Sequence, residues 1–342
     1  MTAAHIGARA SDLQAARVVV TGAGGVIGSL LVRRLAGLGA AVTAVDLHSP
    51  DPDRRLPGVS YVAADVMDVA PLRPHLEGAD LVYHLAYLMG EEANVDPVGA
   101  ARINTLGGTQ IFQACLEARA GRVLMASSIS VFGTQSDYQP HTLPLNDTAP
   151  QYGARGIPVY AAGKIYLEKV AAHYRNRHGL LIGGLRPGAV IGRGRSTGRA
   201  KTVANIVSAA ASGQTVRLDN GKAAFQAIHV EDVADAFLAL ATVDAAVLDP
   251  SPFLNLAGDH ATVRSYCDEV ARVLPEARFD IADGESDELF GSSPFVMDDG
   301  IHRLVGFERR YRSLAQAIRA EVDDLARGRA MPENAGGPAA HA

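Results

Sequence analysis

The run Val18-Val19-Val20-Thr21-Gly22-Ala23-Gly24-Gly25-Val26-Ile27-Gly28 constrains this chain more than any other stretch. A β-branched segment feeds a glycine loop, and the loop feeds a helical pattern over residues 29–38. The spacing Gly22-x-x-Gly25-x-x-Gly28 departs from the commoner G-x-G-x-x-G, but the physical demands are the same. One glycine permits a tight turn, one lets backbone approach a pyrophosphate, and one allows the helix to pack closely on the strand. The helix N-terminus at about Val26 and Ile27 then offers free N–H groups and a positive dipole end to phosphate. A plain strand-to-helix turn is the alternative; the strand before and the helix after favour a dinucleotide cradle.

Further β-rich runs at 41–46, 60–63, 80–85, 122–127 and 180–185 alternate with amphipathic stretches, notably 104–118 and 160–178. That alternation predicts an α/β fold, a Rossmann-type doubly wound parallel sheet with a smaller C-terminal substrate-binding region. The predicted organisation is a flexible N-terminal extension over 1–16, a dinucleotide-binding domain over 17–192, and a mainly substrate-binding region over 193–326. Within the last, helices are predicted at 203–211 and 313–326, and a strand and helix at about 227–242 are expected to return to the Rossmann sheet. The Gly-, Ala- and Pro-rich tail over 327–342 is expected to be disordered.

Composition excludes several classes. The chain has 342 residues, 48% hydrophobic and 20% charged, enough for a substantial core. A formal charge of −5 argues against a nucleic-acid partner, for which a basic patch would be expected. No apolar run is long enough to span a bilayer, and residues 1–16 lack the apolar core of a secretory signal. Cys115 and Cys267 lie far apart without metal spacing and read as hydrophobic filling in a reducing compartment. A cytoplasmic location is expected. The eleven histidines are scattered, so no metal site is predicted. His84, after an apolar strand, reads as packed or cofactor-facing.

Tyr160 and Lys164 stand four apart on a predicted helix, so their side chains share a face. A free phenol titrates at about 10, too high for a base at neutral pH. A neighbouring ammonium stabilises the phenolate, and a lowering of about three units requires roughly 4 kcal/mol. Tyr152 and Tyr166 have Gly156 and Val170 at the same offset, so only Tyr160 has the lysine. Ser127, Ser128 and Ser130 compete to orient the substrate oxygen. Ligands bind outside the carboxyl ends of such strands, which selects Ser128, with Ser130 as a further substrate contact. Asp46 closes the second strand where an acid meets the adenine ribose, and its charge would repel the extra phosphate of NADP. NAD is therefore predicted over NADP, with Arg54 and Arg55 the residues that would soften the preference. Asp65 and Val66 read equally as an adenine contact or a loop-start cap.

These segments resemble the extended short-chain dehydrogenase/reductase family, also called the NAD-dependent epimerase/dehydratase family, from about residue 17 to 326. The resemblance extends to His84-Leu85-Ala86, Asn104-Thr105-Leu106-Gly107, Leu185-Arg186-Pro187-Gly188-Ala189-Val190-Ile191-Gly192 and Ile228-His229-Val230-Glu231-Asp232-Val233-Ala234. It implies that Ser128 polarises the substrate hydroxyl, Tyr160 is the base, and Lys164 holds the nicotinamide ribose while lowering the tyrosine pKa. It implies cofactor roles for Gly22, Gly25, Gly28, Asp46, Asp65, Leu85, Ala86 and Asn104, substrate contacts near Gly188 and Ala189, and a homodimer built on the helices at 104–118 and 160–178.

Departures from the family pattern narrow the substrate. Ile129 and Ser130 stand where dehydrating and decarboxylating relatives carry acids. Ala189 stands where nucleotide-sugar enzymes tend to carry asparagine, and Phe225-Gln226 where they commonly carry an Arg-Asp pair that grips a diphosphate. Arg193, Arg195, Arg199 and Arg217 are the candidate substitutes for that cation. The expectation is an NAD-dependent oxidoreductase acting at a secondary alcohol carbon of a sugar-like or hydroxylated small molecule. A nucleotide-sugar 4-epimerase with retained NAD and a non-catalytic dinucleotide-sensing regulator are the alternatives.

Overall fold

A computed structural model describes residues 10–192, 201–249, 251–284 and 297–327. Seven strands, β1 (Arg17–Thr21), β2 (Ala41–Asp46), β3 (Val59–Ala63), β4 (Leu81–His84), β5 (Arg122–Ala126), β6 (Ile182–Pro187) and β10 (Phe253–Leu256), form one sheet. Their order is β10-β6-β5-β4-β1-β2-β3, with every pairing parallel. Because side chains alternate across a strand, each central strand feeds two cores. Val18, Val20, Leu81, Tyr83, Leu124, Leu185 and Leu254 enter one, against the Val26–Gly37 and Val230–Ala241 helices. Val19, Val82, Val123, Met125, Ile182 and Phe253 enter the other, against the Gly108–Glu117 and Pro158–His178 helices. Among the described residues no helix is long and apolar enough to cross a membrane.

The first strand neighbours both β2 and β4, so the winding direction reverses between β1 and β4. Crevices for ligands open at such a reversal, beyond the carboxyl ends of the strands. Thr21-Gly22 and His84-Leu85 stand at that point.

The smaller lobe is built on β7 (Ala189–Ile191), β8 (Thr215–Leu218), β9 (Ala224–His229), β11 (Asp259–Thr262) and β12 (Arg278–Ile281). A three-stranded sheet runs β11-β9-β7, and β8 pairs with β12. Three helices, Lys201–Ala211, Val263–Val273 and Leu314–Ala326, close its core around Phe225, Tyr266 and Ile318.

The strand expected to return to the main sheet at about 227–230 does not do so. It is β9, and it pairs with β7 and β11 in the lobe, while the helix after it does pack on the main sheet. The edge of β6 is instead taken by β10, Phe253 opposite Gly184. The cause lies at Pro187-Gly188. Proline has no N–H to donate, so the ladder breaks there and the chain re-forms as β7 in the second sheet.

The main sheet is tied to the Pro158–His178 helix by an ion pair inside the protein. Arg186 of β6 donates Nε to Glu168 Oε1 (2.8 Å) and a terminal nitrogen to Glu168 Oε2 (2.7 Å), with both side chains 4% exposed. Ser127 and Gln151 also donate to the carboxylate, and Arg186 reaches the Asp147 carbonyl at 2.8 Å. Breaking such a pair from one side leaves an uncompensated buried charge, which costs about 3–5 kcal/mol. Glu168→Gln is therefore expected to lower unfolding free energy by about that amount in a denaturant titration, and Glu168→Leu with Arg186→Met to recover most of it. A loss below about 1 kcal/mol in the single variant would show that the pair does not hold the helix to the sheet.

Candidate active site

The glycine loop follows β1 at the reversal. Gly22 has φ +70°, and a Cβ there would lie 2.6 Å from the Ala86 nitrogen, so loop and β4 exit approach as only glycine allows. A Cβ on Gly28 would run into the Gly22 carbonyl oxygen. The helix begins at Val26 with Gly25 as N-cap, no side-chain cap and no acid in its first turn. Its leading N–H groups thus have no side-chain cap and no acid of their own turn beside them, which fits a dinucleotide pyrophosphate. Asp46, partly exposed at the end of β2, accepts from the Gly24 and Leu47 amides (both 2.8 Å) and so braces the loop. Asp65 is exposed and Oδ1 accepts from the Met67 amide (2.9 Å), forming a turn cap, while Val66 is buried in the second core. Arg55 lies 5.8 Å from the centroid of the Tyr61 ring and donates to the Pro50 carbonyl.

Beyond β4, Leu85 and Ala86 line the loop facing Gly22. Asn104 sits in a π-helical turn, Ala101–Gly107, of the kind that recurs at functional sites. Its amide donates to the Leu88 carbonyl (2.9 Å) and accepts from the Leu88 N–H (2.6 Å), so it pins the loop after β4. His84 is buried, bonded through Nδ1 to Thr21 Oγ1 at 2.9 Å and edge-on to Phe112. Burial, with Lys164 nearby, pushes its pKa down to about 3, so the ring is neutral and packed.

Tyr160 and Lys164 share one face of the Pro158–His178 helix, and both are buried. The Lys164 ammonium lies 5.6 Å from the Tyr160 ring centroid and donates to the Ala126 carbonyl at 2.7 Å. Burial draws its pKa down to about 7, opposed by Glu168 one turn along. The three serines separate by environment. Ser127 is committed to Glu168 (2.5 Å). Ser130 is buried, and its hydroxyl has no hydrogen-bond partner. Ser128 is partly exposed at the strand end, where its oxygen accepts from the Ser130 amide (3.1 Å) and its proton stays available. The turn carrying these residues packs on the Tyr160 helix.

Glu168, Arg186 and Tyr87 belong to the site but did not emerge from the motifs. Glu168 repeats the four-residue spacing of Tyr160 and Lys164, and Arg186 is a cation inside an apolar strand; both were readable signals. Tyr87 lies in a loop, where spacing carries no information.

Among the described residues, the lobe position where the family resemblance would place a diphosphate-gripping arginine carries an aromatic ring. Phe225 is 2% exposed, packed 5.8 Å from the Tyr266 ring in the lobe core. Gln226 points to the opposite side and is buried beside Gly188. Ala189 is partly buried, opposite Ala227. Arg217 is 77% exposed, 3.6 Å from Asp280. Arg193, Arg195 and Arg199 lie outside the described residues. Both cysteines are buried with thiol pKa values pushed up to about 12, consistent with filling rather than chemistry. Among the described residues no cluster of three or more metal-ligating side chains occurs.

Comparison with known proteins agrees with this geometry. The model of the NAD dependent epimerase/dehydratase family matches residues 18–254. A UDP-glucose 4-epimerase of Mycolicibacterium smegmatis is 31% identical over 242 residues, 65% of this chain and 72% of that protein. An L-arabinose 1-dehydrogenase (NAD(P)(+)) of Haloferax volcanii is 32% identical over 179 residues, 51% of this chain and 66% of that protein. Among solved structures, MoeE5 in complex with UDP-glucose and NAD superposes with a TM-score of 0.75 at 26% identity, covering 91% of this chain and 99% of the other. Because the family model spans more than half of its length, the chain belongs to the NAD-dependent epimerase/dehydratase family of extended short-chain dehydrogenase/reductases and is an enzyme of that type.

Proposed function

We propose that the protein is an NAD-dependent dehydrogenase of a free sugar, polyol or sugar acid, with Tyr160 as the base. The observation that carries the substrate class is Phe225, buried in the lobe core where nucleotide-sugar relatives grip a diphosphate with arginine. Phenylalanine cannot replace a guanidinium fork, whose bidentate geometry is what grips a diphosphate. The likeness to an L-arabinose 1-dehydrogenase points the same way. A nucleotide-sugar 4-epimerase is the second reading, favoured by the likeness to a UDP-glucose 4-epimerase.

In this reading Ser128 donates a hydrogen bond to the substrate oxygen and so fixes the reacting carbon. Tyr160 removes the hydroxyl proton as general base, a role worth about 10²–10⁴ in rate. The Lys164 charge stabilises the phenolate across a buried gap, where electrostatic effects are strong. Residues 22–28 would hold the pyrophosphate, Asp46 the adenine ribose and Lys164 the nicotinamide ribose; the bound dinucleotide supplies the hydride acceptor. Asp46, brought against the loop by the Gly24 amide, supports NAD over NADP because its charge opposes a ribose phosphate. A dinucleotide-sensing regulator would need neither a base nor an activating lysine.

A homodimer through the helical face is part of the proposal. Leu106 and Tyr166 are 49% and 45% exposed on the helices at 104–118 and 160–178 that commonly pair in relatives, and Val95 and Val98, 78% and 69% exposed, lie on the turns just before the first of them. Light scattering is expected to give twice the chain mass, and Val98→Glu with Leu106→Glu to halve it; a monomeric wild type would remove the dimer.

The activity test follows NADH formation with polyols, sugar acids, free sugars and UDP-hexoses, each with NAD and NADP. Sustained release from an unactivated substrate, faster with NAD and reduced at least 100-fold in Tyr160→Phe, is the expected result. Turnover of UDP-hexoses alone, or full activity in Tyr160→Phe, would contradict the substrate class or the base respectively.

A further inference from the structure

We propose that Tyr87 is a positioning residue for the catalytic pair: its ring face holds the Lys164 ammonium while its hydroxyl fixes the backbone of Tyr160. This rests on the reading of Tyr160 and Lys164 given above. The Tyr87 hydroxyl donates to the Tyr160 carbonyl at 3.1 Å. Within an α-helix that carbonyl also receives the N–H four residues on, that of Lys164. One phenol thus grips the turn that sets the spacing of the pair. The Lys164 nitrogen lies 3.3 Å from the centroid of the Tyr87 ring, against 5.6 Å from that of Tyr160. The two tyrosine rings meet edge to face, 5.3 Å apart at 80°.

The surroundings hold Tyr87 in place. A side chain on Gly163 would collide with the Tyr87 hydroxyl, so the helix presents a gap where the phenol enters. Asn104 bonds both backbone groups of Leu88, the next residue, and so fixes the loop that delivers the ring. This placement is more specific than apolar filling requires, since the hydroxyl meets the Tyr160 backbone, the ring face meets the Lys164 ammonium, and the ring packs crosswise on that of Tyr160.

The ammonium needs such a partner. Facing it are the Ala126 carbonyl from β5, His84 from β4, Tyr160 and Glu168 from its own helix, and Tyr87 from the loop after β4. His84 is neutral, and the Glu168 oxygens are already engaged by Arg186, Ser127 and Gln151. Burial raises the Tyr87 phenol, so it stays protonated and presents a neutral π-face. A desolvated cation on such a face is stabilised far more than one in water.

The test titrates Lys164 itself. The chain has four lysines, Lys164, Lys169, Lys201 and Lys222, so ¹³C-lysine labelling gives a simple NMR spectrum, assigned by the signal lost in Lys164→Arg. In Tyr87→Leu the Lys164 midpoint is expected to fall by about one pH unit, and in Tyr87→Phe, which keeps the ring, by less than about 0.3. The acid limb of the kcat/KM profile should rise in Tyr87→Leu alone, because a less charged lysine stabilises phenolate less. If Tyr87→Leu does not fold, progressively fluorinated phenylalanines at position 87 keep the shape while draining the ring face, and the midpoint should fall with each step. Identical Lys164 midpoints in all these proteins would overturn the proposal, as would an equal fall in Tyr87→Phe and Tyr87→Leu. A Tyr160→Phe enzyme of full activity would instead sink the catalytic reading and leave the lysine contact standing.

Discussion

The Glu168–Arg186 pair is the interaction on which the site depends. Glu168 projects from the helix that carries Tyr160 and Lys164, and Arg186 from β6, so their bidentate bond sets that helix against the sheet. The same two groups gather the end of β5 through Ser127 and the Asp147 loop through its carbonyl. Asn255 of β10 closes the far side, accepting from Arg186 at 3.4 Å and bonding Leu145 and Asp147. The end of β5, the helix bearing Tyr160 and Lys164, and the sheet edge are thereby held by one desolvated network. Such networks stabilise when every member is satisfied, and here nearly every lone pair and N–H of the two charges has a partner.

The network also sets the electrostatics of the reacting groups. Lys164 is taken out of water, which works against its charge, and Glu168 one turn away works for it. The balance draws the lysine pKa well below its ordinary value, so each neighbour that favours its charge counts. That makes the neutral His84, the Ala126 carbonyl and the Tyr87 face consequential rather than incidental. The reversal of winding between β1 and β4 brings this group beside the glycine loop, because Gly22 and Ala86 follow those two neighbouring strands and meet just beyond their ends.

Much of this was legible in the sequence, for reasons that can be named. The strand-loop-helix at 17–37 announces itself because only glycine tolerates the Gly22 and Gly28 contacts. The helix begins at Val26, where the glycine spacing put its N-terminus, although the helical pattern of apolar residues is plain only from residue 29. The π-helical turn at Ala101–Gly107 inserts a residue that no periodicity reveals. Strand β10 escaped because it is four residues long and carries a buried Asn255, and β9 was placed in the wrong sheet because a strand run does not record its partner. In the site, the choice of Ser128 over its neighbours followed from strand-end position, and the environments of Ser127 and Ser130 separate them further. Tyr87 could not be read, since its role comes from two elements meeting, not from spacing along one.

The most direct measurement follows the hydrogen itself. A candidate free sugar or polyol carrying deuterium at the reacting carbon would be incubated with the enzyme and NAD, and the label traced by NMR. Deuterium is expected at the nicotinamide C4 position of released NADH, with no transfer in Tyr160→Phe. Label returned to the same carbon with inverted configuration would establish an epimerase instead. Label left in place with every substrate class, while NAD binds, would contradict the claim that Tyr160 and Lys164 form a hydride-transfer site.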